Sequence, residues 1–232
     1  MTNPGWVPPI LARKRHGAVS VFAPDNLLRE ARRQKGVEEG RIPRVCVLDP
    51  DGDIVRFLLA SGKASLNSYW ACYHTDLYDF EYGGISFGIL GCAVGAPFAV
   101  LVAEEMFACG CELLISVTSS GQIVPKGKPP FFVLIERALR DEGTSYHYVA
   151  ASEYSALDSS LGGILVGAFE GLGVPLQVGA TWTTDAPFRE TSDAIEFAKS
   201  EGLLAVEMEA AALYAFAEAR GKAVVCFASL DS

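Results

Sequence analysis

The chain has 232 residues, half of them hydrophobic and a fifth charged, and a formal net charge of −9. That composition supports a buried core and excludes a disordered chain, and the length fits one large α/β domain. A net acidic surface is repelled by phosphate backbones, which argues against nucleic acid as a partner; one local basic pocket is still enough to hold a small anion.

Residues 1–43 read as an N-terminal appendage. Pro4, Pro8 and Pro9 discourage an early helix, and Pro24-Asp25-Asn26 then opens a basic helix, Leu27 to Lys35, ended by Gly36. Its Arg29, Arg32, Arg33 and Lys35 form either a solvated face or a subunit contact. Residues 44–232 read as a single compact domain. Val45 to Leu48 is a buried strand that runs into the turn Asp49-Pro50-Asp51-Gly52. Ile85 to Leu90 is a second strand, Pro97 to Cys109 a helix, and Leu113 to Val117 a third strand, followed by Thr118-Ser119-Ser120-Gly121. Phe131 to Glu142 and Leu161 to Leu172 read as helices, Leu176 to Trp182 as a strand and Glu190 to Glu201 as a helix. Val206 to Arg220 reads as one long helix closed by Gly221, and Ala223 to Ala228 as the last strand. This alternation predicts a mixed or parallel sheet with helices on both faces, a three-layer α/β/α arrangement. Ligands in such sheets bind at the carboxyl ends of strands, and each polar cluster singled out below follows a predicted strand.

The six cysteines lie mostly in apolar runs, and Cys109-x-Cys111 has no second ligand pair beside it. They read as buried thiols in a reducing cytoplasm, with no metal site. Met1 to Arg15 has no apolar segment followed by a cleavage site, and no run reaches the ~18 apolar residues of a membrane helix. The expected setting is cytoplasmic and away from membranes.

Five segments carry chemistry. In Val206-Glu207-Met208-Glu209-Ala210-Ala211-Ala212, two carboxylates flank a methionine at the predicted start of a helix, where the helix dipole alone favours acids. Gly52-Asp53-Ile54-Val55-Arg56 offers backbone donors and a guanidinium, a reasonable anion site or merely a surface turn. Gly91-Cys92-Ala93-Val94-Gly95-Ala96-Pro97 is a glycine-rich loop before a helix, and Ile115-Ser116-Val117-Thr118-Ser119-Ser120-Gly121 ends the next strand. Gly179 to Arg189 brings Trp182, a π-face suited to a flat heterocycle or to a core. Val224 to Asp231 ends on an acid.

In chain order the segments resemble the nucleoside phosphorylase family, which includes purine nucleoside phosphorylases, uridine phosphorylases and methylthioadenosine nucleosidases. The resemblance covers residues 44–231 and implies the family's fold, a mixed central sheet flanked by helices. It implies that Glu209 accepts hydrogen bonds from the ribose diol, that Met208 packs on the sugar and that Ser119 touches both sugar and phosphate. It places Trp182 and Glu207 at the base. Gly52 and Arg56 would grip phosphate, and His74 would reach a neighbouring subunit's phosphate site. His16 is a weaker candidate for reaching a neighbour's sugar. Asp231 would be the catalytic acid that protonates N7 of a purine, and the family's closing helix would follow beyond Ser232.

The departures are specific. Ile54 replaces a proline, Pro50-Asp51 lengthens the turn, Ala93 and Thr118 replace glycines, and Ser116 stands where phosphorolytic members carry a second arginine. A lost charged donor costs ~1.5–3 kcal/mol, about one to two decades of phosphate affinity. Asp185 reads as a loop-fixing residue, and Arg189 is unassigned. The implied activity is phosphorolysis of a purine-type nucleoside with phosphate as co-substrate, no cofactor and a homo-oligomeric assembly (dimer, trimer or hexamer). The alternatives are hydrolysis, with Asp53 or Glu104 as candidate bases, and nucleoside binding without catalysis.

Overall fold

The computed structural model describes residues 7–169, 173 and 175–231. Helix α1, Pro24–Lys35, has proline in its first turn, basic residues in its last, and Gly36 in the left-handed region at φ 67°. Its Leu28 and Ala31, together with Ile42, are buried in the central core, so residues ahead of Arg44 belong to the packed body. The strands are β1 Val45–Asp49, β2 Ala64–Leu66, β3 Leu77–Tyr82, β4 Ile85–Gly91, β5 Leu113–Ser119, β6 Gly121–Gln122, β7 Phe131–Asp141, β8 Tyr154–Ala156, β9 Leu176–Thr184, β10 Ala205–Glu207 and β11 Ala223–Leu230. The further helices are α2 Asp53–Ala60, α3 Ala96–Ala108, α4 Ser159–Ala168, α5 Ser192–Ser200 and α6 Ala210–Arg220.

The strands form one mixed sheet in the order β2-β3-β4-β1-β5-β11-β7-β9-β10-β6, with β8 added on β7. Strands β4, β1, β5 and β11 run parallel to one another, as do β7, β9 and β10, and the two sets meet antiparallel at β11–β7. Period-two alternation sorts the core. Cys46 and Leu48 of β1 pack on the side of α1, α3 and α6, while Val47 packs with Val55 and Leu58 of α2 on the other. Helix α4 covers Leu134, Val225 and Phe227 on that second face, and α5 lies over Ala180 and Trp182. The result is the expected three-layer α/β/α architecture.

Three expectations change. Phe131 to Glu142 is strand β7, not a helix. Its first half pairs with β11 and its second half with β8 on one side, β9 lies along the other, and the ladders to β8 and β9 override the helical preference of its Glu-Arg-Ala-Leu-Arg half. Val206 to Arg220 is not one helix. Residues 205–207 pair with β9 and β6, the chain bends at Met208 and Glu209, and α6 starts at Ala210. Helix α2 and strands β2 and β3 were not anticipated. The expected end of the helix Leu161–Leu172 lies outside the described residues.

Candidate active site

The corner between β10 and α6 holds two buried carboxylates with different surroundings. Glu207 spends all its acceptor capacity inside the chain. Its Oε1 accepts from the hydroxyls of Thr181 (3.1 Å) and Thr183 (2.5 Å), and its Oε2 from the N–H groups of Glu209 and Ala210, both at 2.7 Å. Thr183 Oγ1 in turn accepts from Ala211 N–H at 2.9 Å. These contacts satisfy the free donors at the start of α6 and set its first residue. Glu207, expected at the base, is therefore a helix-capping residue, fixed because strand parity turns Thr181 and Thr183 toward α6.

Glu209 is 1% exposed, and its Oε1 accepts from the Gly95 N–H at 2.7 Å. Its Oε2 is buried and has no hydrogen-bond partner among the described residues. Burial first, and then the nearby Glu207 charge, push its carboxyl up to about 7, while the Gly95 N–H opposes the shift. A buried, half-satisfied carboxylate is costly unless something fills the open position. Met208, half-buried, stands beside it at the bend.

The anion segment lies next to this corner. The buried Asp49 organises the turn after β1, accepting from the N–H groups of Gly52 (3.1 Å) and Val55 (2.9 Å), and burial raises its carboxyl. Gly52 N–H is thus already committed. Its glycine is needed for another reason: φ is 79°, and a Cβ there would meet Cys92 Sγ at 2.7 Å and Arg56 Nη1 at 2.9 Å. Arg56 is exposed, and its Nη2 donates to both the Asp51 carbonyl (2.9 Å) and Asp53 Oδ1 (2.5 Å). Asp53, one candidate base, is thereby ion-paired at the surface. Ser119, at the end of β5, donates its N–H to Asp51 Oδ2 at 2.7 Å and its hydroxyl to Asp51 Oδ1 at 2.9 Å. Ser116 is buried at 1% exposure and brings no charge. Cys92, expected to be buried, is exposed in this loop at φ 61°.

The remaining candidates divide. Ser229 of β11 pairs with Ser119 and donates its hydroxyl to Asp231 at 2.9 Å, so Asp231 sits at the rim of the anion segment. Trp182 does not face the site. It is 5% exposed, donates Nε1–H to Asp141 at 2.9 Å, and packs with Ile123, Ala180, Ala198 and Leu203. Between Thr181 and Thr183 it must point to the α5 face, away from Glu209. His74 is exposed beside Phe98 of α3, and no hydrogen bond joins it to Gly52, Arg56 or Ser119 among the described residues. His16 lies near the Tyr146 carbonyl. Glu104, the other candidate base, is tied to Tyr148 and Arg220. Asp185 accepts from Gly143 N–H at 2.8 Å and so fixes the loops after β7 and β9, while Arg189 is exposed in the turn Pro187–Arg189.

The contacts from Gly95 and Asp51 were not anticipated. Only the glycine-rich loop gave a local signal. The other depends on the pairing of Asp51 with Ser119, 68 positions apart in sequence. Among the described residues no group of three or more His, Cys, Asp or Glu is placed to hold a metal ion, and no helix is long and apolar enough to cross a membrane.

Comparison with known proteins gives the same frame. The chain is 27% identical over 202 residues to a uridine phosphorylase of Thermococcus kodakarensis, covering 75% of this chain and 72% of the relative. It is 26% identical over 201 residues to a guanosine phosphorylase of Halorubrum lacusprofundi, covering 84% and 80%. Its fold matches that of a uridine phosphorylase from Vibrio fischeri with a TM-score of 0.71 at 22% identity, covering 82% and 77%. The model of the phosphorylase superfamily matches residues 44–232, and the chain belongs to that family.

Proposed function

We propose that this protein cleaves the N-glycosidic bond of a nucleoside by phosphorolysis, yielding the free base and a pentose 1-phosphate. One observation carries the reading: Glu209 is buried, anchored through one oxygen to Gly95, and its other oxygen has no partner among the described residues. A carboxylate in that state suits the hydroxyls of a ribose, whose charge-assisted hydrogen bonds would satisfy it. Relatives named as uridine, guanosine and purine nucleoside phosphorylases support the same chemistry.

In this reading Glu209 and Met208 hold the sugar, and Ser119 and Arg56 present phosphate beneath C1′. A phosphate oxygen bonds to C1′ as the C1′–N bond breaks, and the electron pair leaves with the base. The oxocarbenium character that develops at C1′ is stabilised by the adjacent anion. For a purine, Asp231 gives its proton to N7, and the purine assignment rests on that residue now that Trp182 and Glu207 are committed elsewhere. His74 would act on a neighbouring copy in a homo-oligomer. The reaction as proposed needs no metal or organic cofactor.

A second reading, hydrolysis, is favoured by Ser116 and by the carboxylate that Ser119 already holds. A panel of purine and pyrimidine nucleosides, assayed for base release with and without phosphate, separates the two. Phosphorolysis requires a rate that rises with phosphate and a pentose 1-phosphate product. A rate indifferent to phosphate assigns hydrolysis, and binding with no base release rejects both.

A further inference from the structure

The donors expected to meet phosphate already hold an anion from the chain itself. Ser119 gives both its N–H and its hydroxyl to one carboxylate, that of Asp51, at 2.7 and 2.9 Å. An N–H and an O–H converging on two oxygens of one anionic group is the arrangement a phosphate would take. Arg56 is drawn in as well, its Nη2 donating to the Asp51 carbonyl and to Asp53. The neutral Ser116 adds no charge to outbid this carboxylate.

The local backbone explains how Asp51 gets there. Gly52 N–H closes a turn onto the Asp49 carbonyl at 2.9 Å. Pro50 presets its own φ in that turn, and Asp49 accepts from Gly52 and Val55 from below. The Pro50-Asp51 pair therefore projects a carboxylate over the end of β5, where Ser119 lies.

We infer that Asp51 is an internal competitor for the anion subsite and determines how strongly the site takes phosphate. The inference rests on the phosphorolytic reading for its meaning, but it is a statement about anion binding. For phosphate to reach the Ser119 donors, Asp51 must leave them. The apparent phosphate affinity is then lowered by the fraction of molecules in which the donors are free. Once displaced, the carboxylate still repels the incoming dianion. Asp51 itself is only partly buried, between the buried Pro50 and Gly52, and its side chain belongs to none of the apolar clusters, so its replacement leaves the core intact.

The test is calorimetric titration of inorganic phosphate into the parent, Asp51→Ala and Asp51→Asn, each checked by circular dichroism. Asp51→Ala is expected to bind phosphate about tenfold or more tightly than the parent, the inverse of a free-donor fraction of about a tenth or less. Asp51→Asn keeps an acceptor for Ser119 but drops the charge and should fall between them. Adding Ser119→Ala to Asp51→Ala should remove the gain. An Asp51→Ala affinity equal to or weaker than that of the parent, including no measurable binding in either, overturns the inference. Base release against phosphate concentration is measured on the same proteins. If Asp51→Ala binds phosphate more tightly while base release stays indifferent to phosphate, the competitor stands and phosphorolysis falls. If the parent rate depends on phosphate and Asp51→Ala binds it no better, the reverse holds.

Discussion

Replacing Glu209 with glutamine separates the ligand-holding role of this carboxylate from a structural one. The amide is nearly isosteric, and its oxygen can keep the Gly95 N–H bond that Oε1 accepts at 2.7 Å. What it removes is the charge and the free acceptor at Oε2. A rise in pKa from 4.5 to about 7 marks a penalty on the ionised form, on the order of 3 kcal/mol at ~1.4 kcal/mol per unit. The sign follows from proton linkage. A carboxyl raised in the folded state contributes stability below its unfolded pKa and loses it as pH rises through the folded value. Glutamine carries no such penalty, so Glu209→Gln should be at least as stable as the parent at pH 8, with the advantage shrinking toward pH 5. Activity should move the other way. Each hydrogen bond from a ribose hydroxyl to the charged group is worth ~1.5–3 kcal/mol, so loss of the pair should lower kcat/KM by about a hundredfold or more. Thermal melts at pH 5 and 8 and base release at saturating phosphate measure both effects. A folded Glu209→Gln protein with kcat/KM within about twofold of the parent would refute the sugar-holding assignment. A clear loss of stability at pH 8 would show that the charge serves the fold instead.

Two further outcomes follow from the same geometry. Nucleoside affinity should rise with pH through about 7, because only the ionised Glu209 accepts from both hydroxyls, and should fall roughly tenfold per unit below that; a flat profile of dissociation constant against pH between 5.5 and 8 would contradict this. Trp182→Phe should lower stability by ~1–3 kcal/mol through lost volume and the lost bond to Asp141, with nucleoside KM unchanged. A large rise in KM at unchanged melting temperature would return Trp182 to the base.

What the sequence made legible was local. The pair Met208-Glu209 sits inside a short segment whose chemistry can be named without knowing the fold. The alternation of apolar runs and helical stretches was enough for three layers. Strand β7 reads as helix because its second half, Glu136 to Arg140, prefers helix when taken alone, and only the ladders to β9 and β8 reverse that preference. The orientation of Trp182 was legible in principle. With Thr181 and Thr183 turned toward Glu207, period-two parity leaves the tryptophan no choice but the opposite face. That parity has force only once β9 and β10 are known to be neighbours. Asp51 was beyond reach for the same reason: its turn appeared as added length, and its contact with Ser119 exists only because β1 and β5 lie side by side.

Glu207 and Glu209 are two positions apart, yet one is finished and the other is not. Glu207, on the last residue of β10, faces the threonines and the first N–H groups of α6, and all of its acceptors are matched within the chain. Glu209, past the bend, meets Gly95 with one oxygen, and its other has no partner among the described residues. Burial first, and then the charge on Glu207, raise the Glu209 carboxyl, so its ionised state is held back until donors arrive. A ribose diol supplies them, and hydrogen bonds to the charged form lower a carboxyl's pKa. Near neutral pH, sugar binding and ionisation of Glu209 are then one linked event, with a proton released as the nucleoside enters. The helix-capping carboxylate thereby does more than start α6: it adds to the burial that keeps the acceptor beside it waiting for substrate.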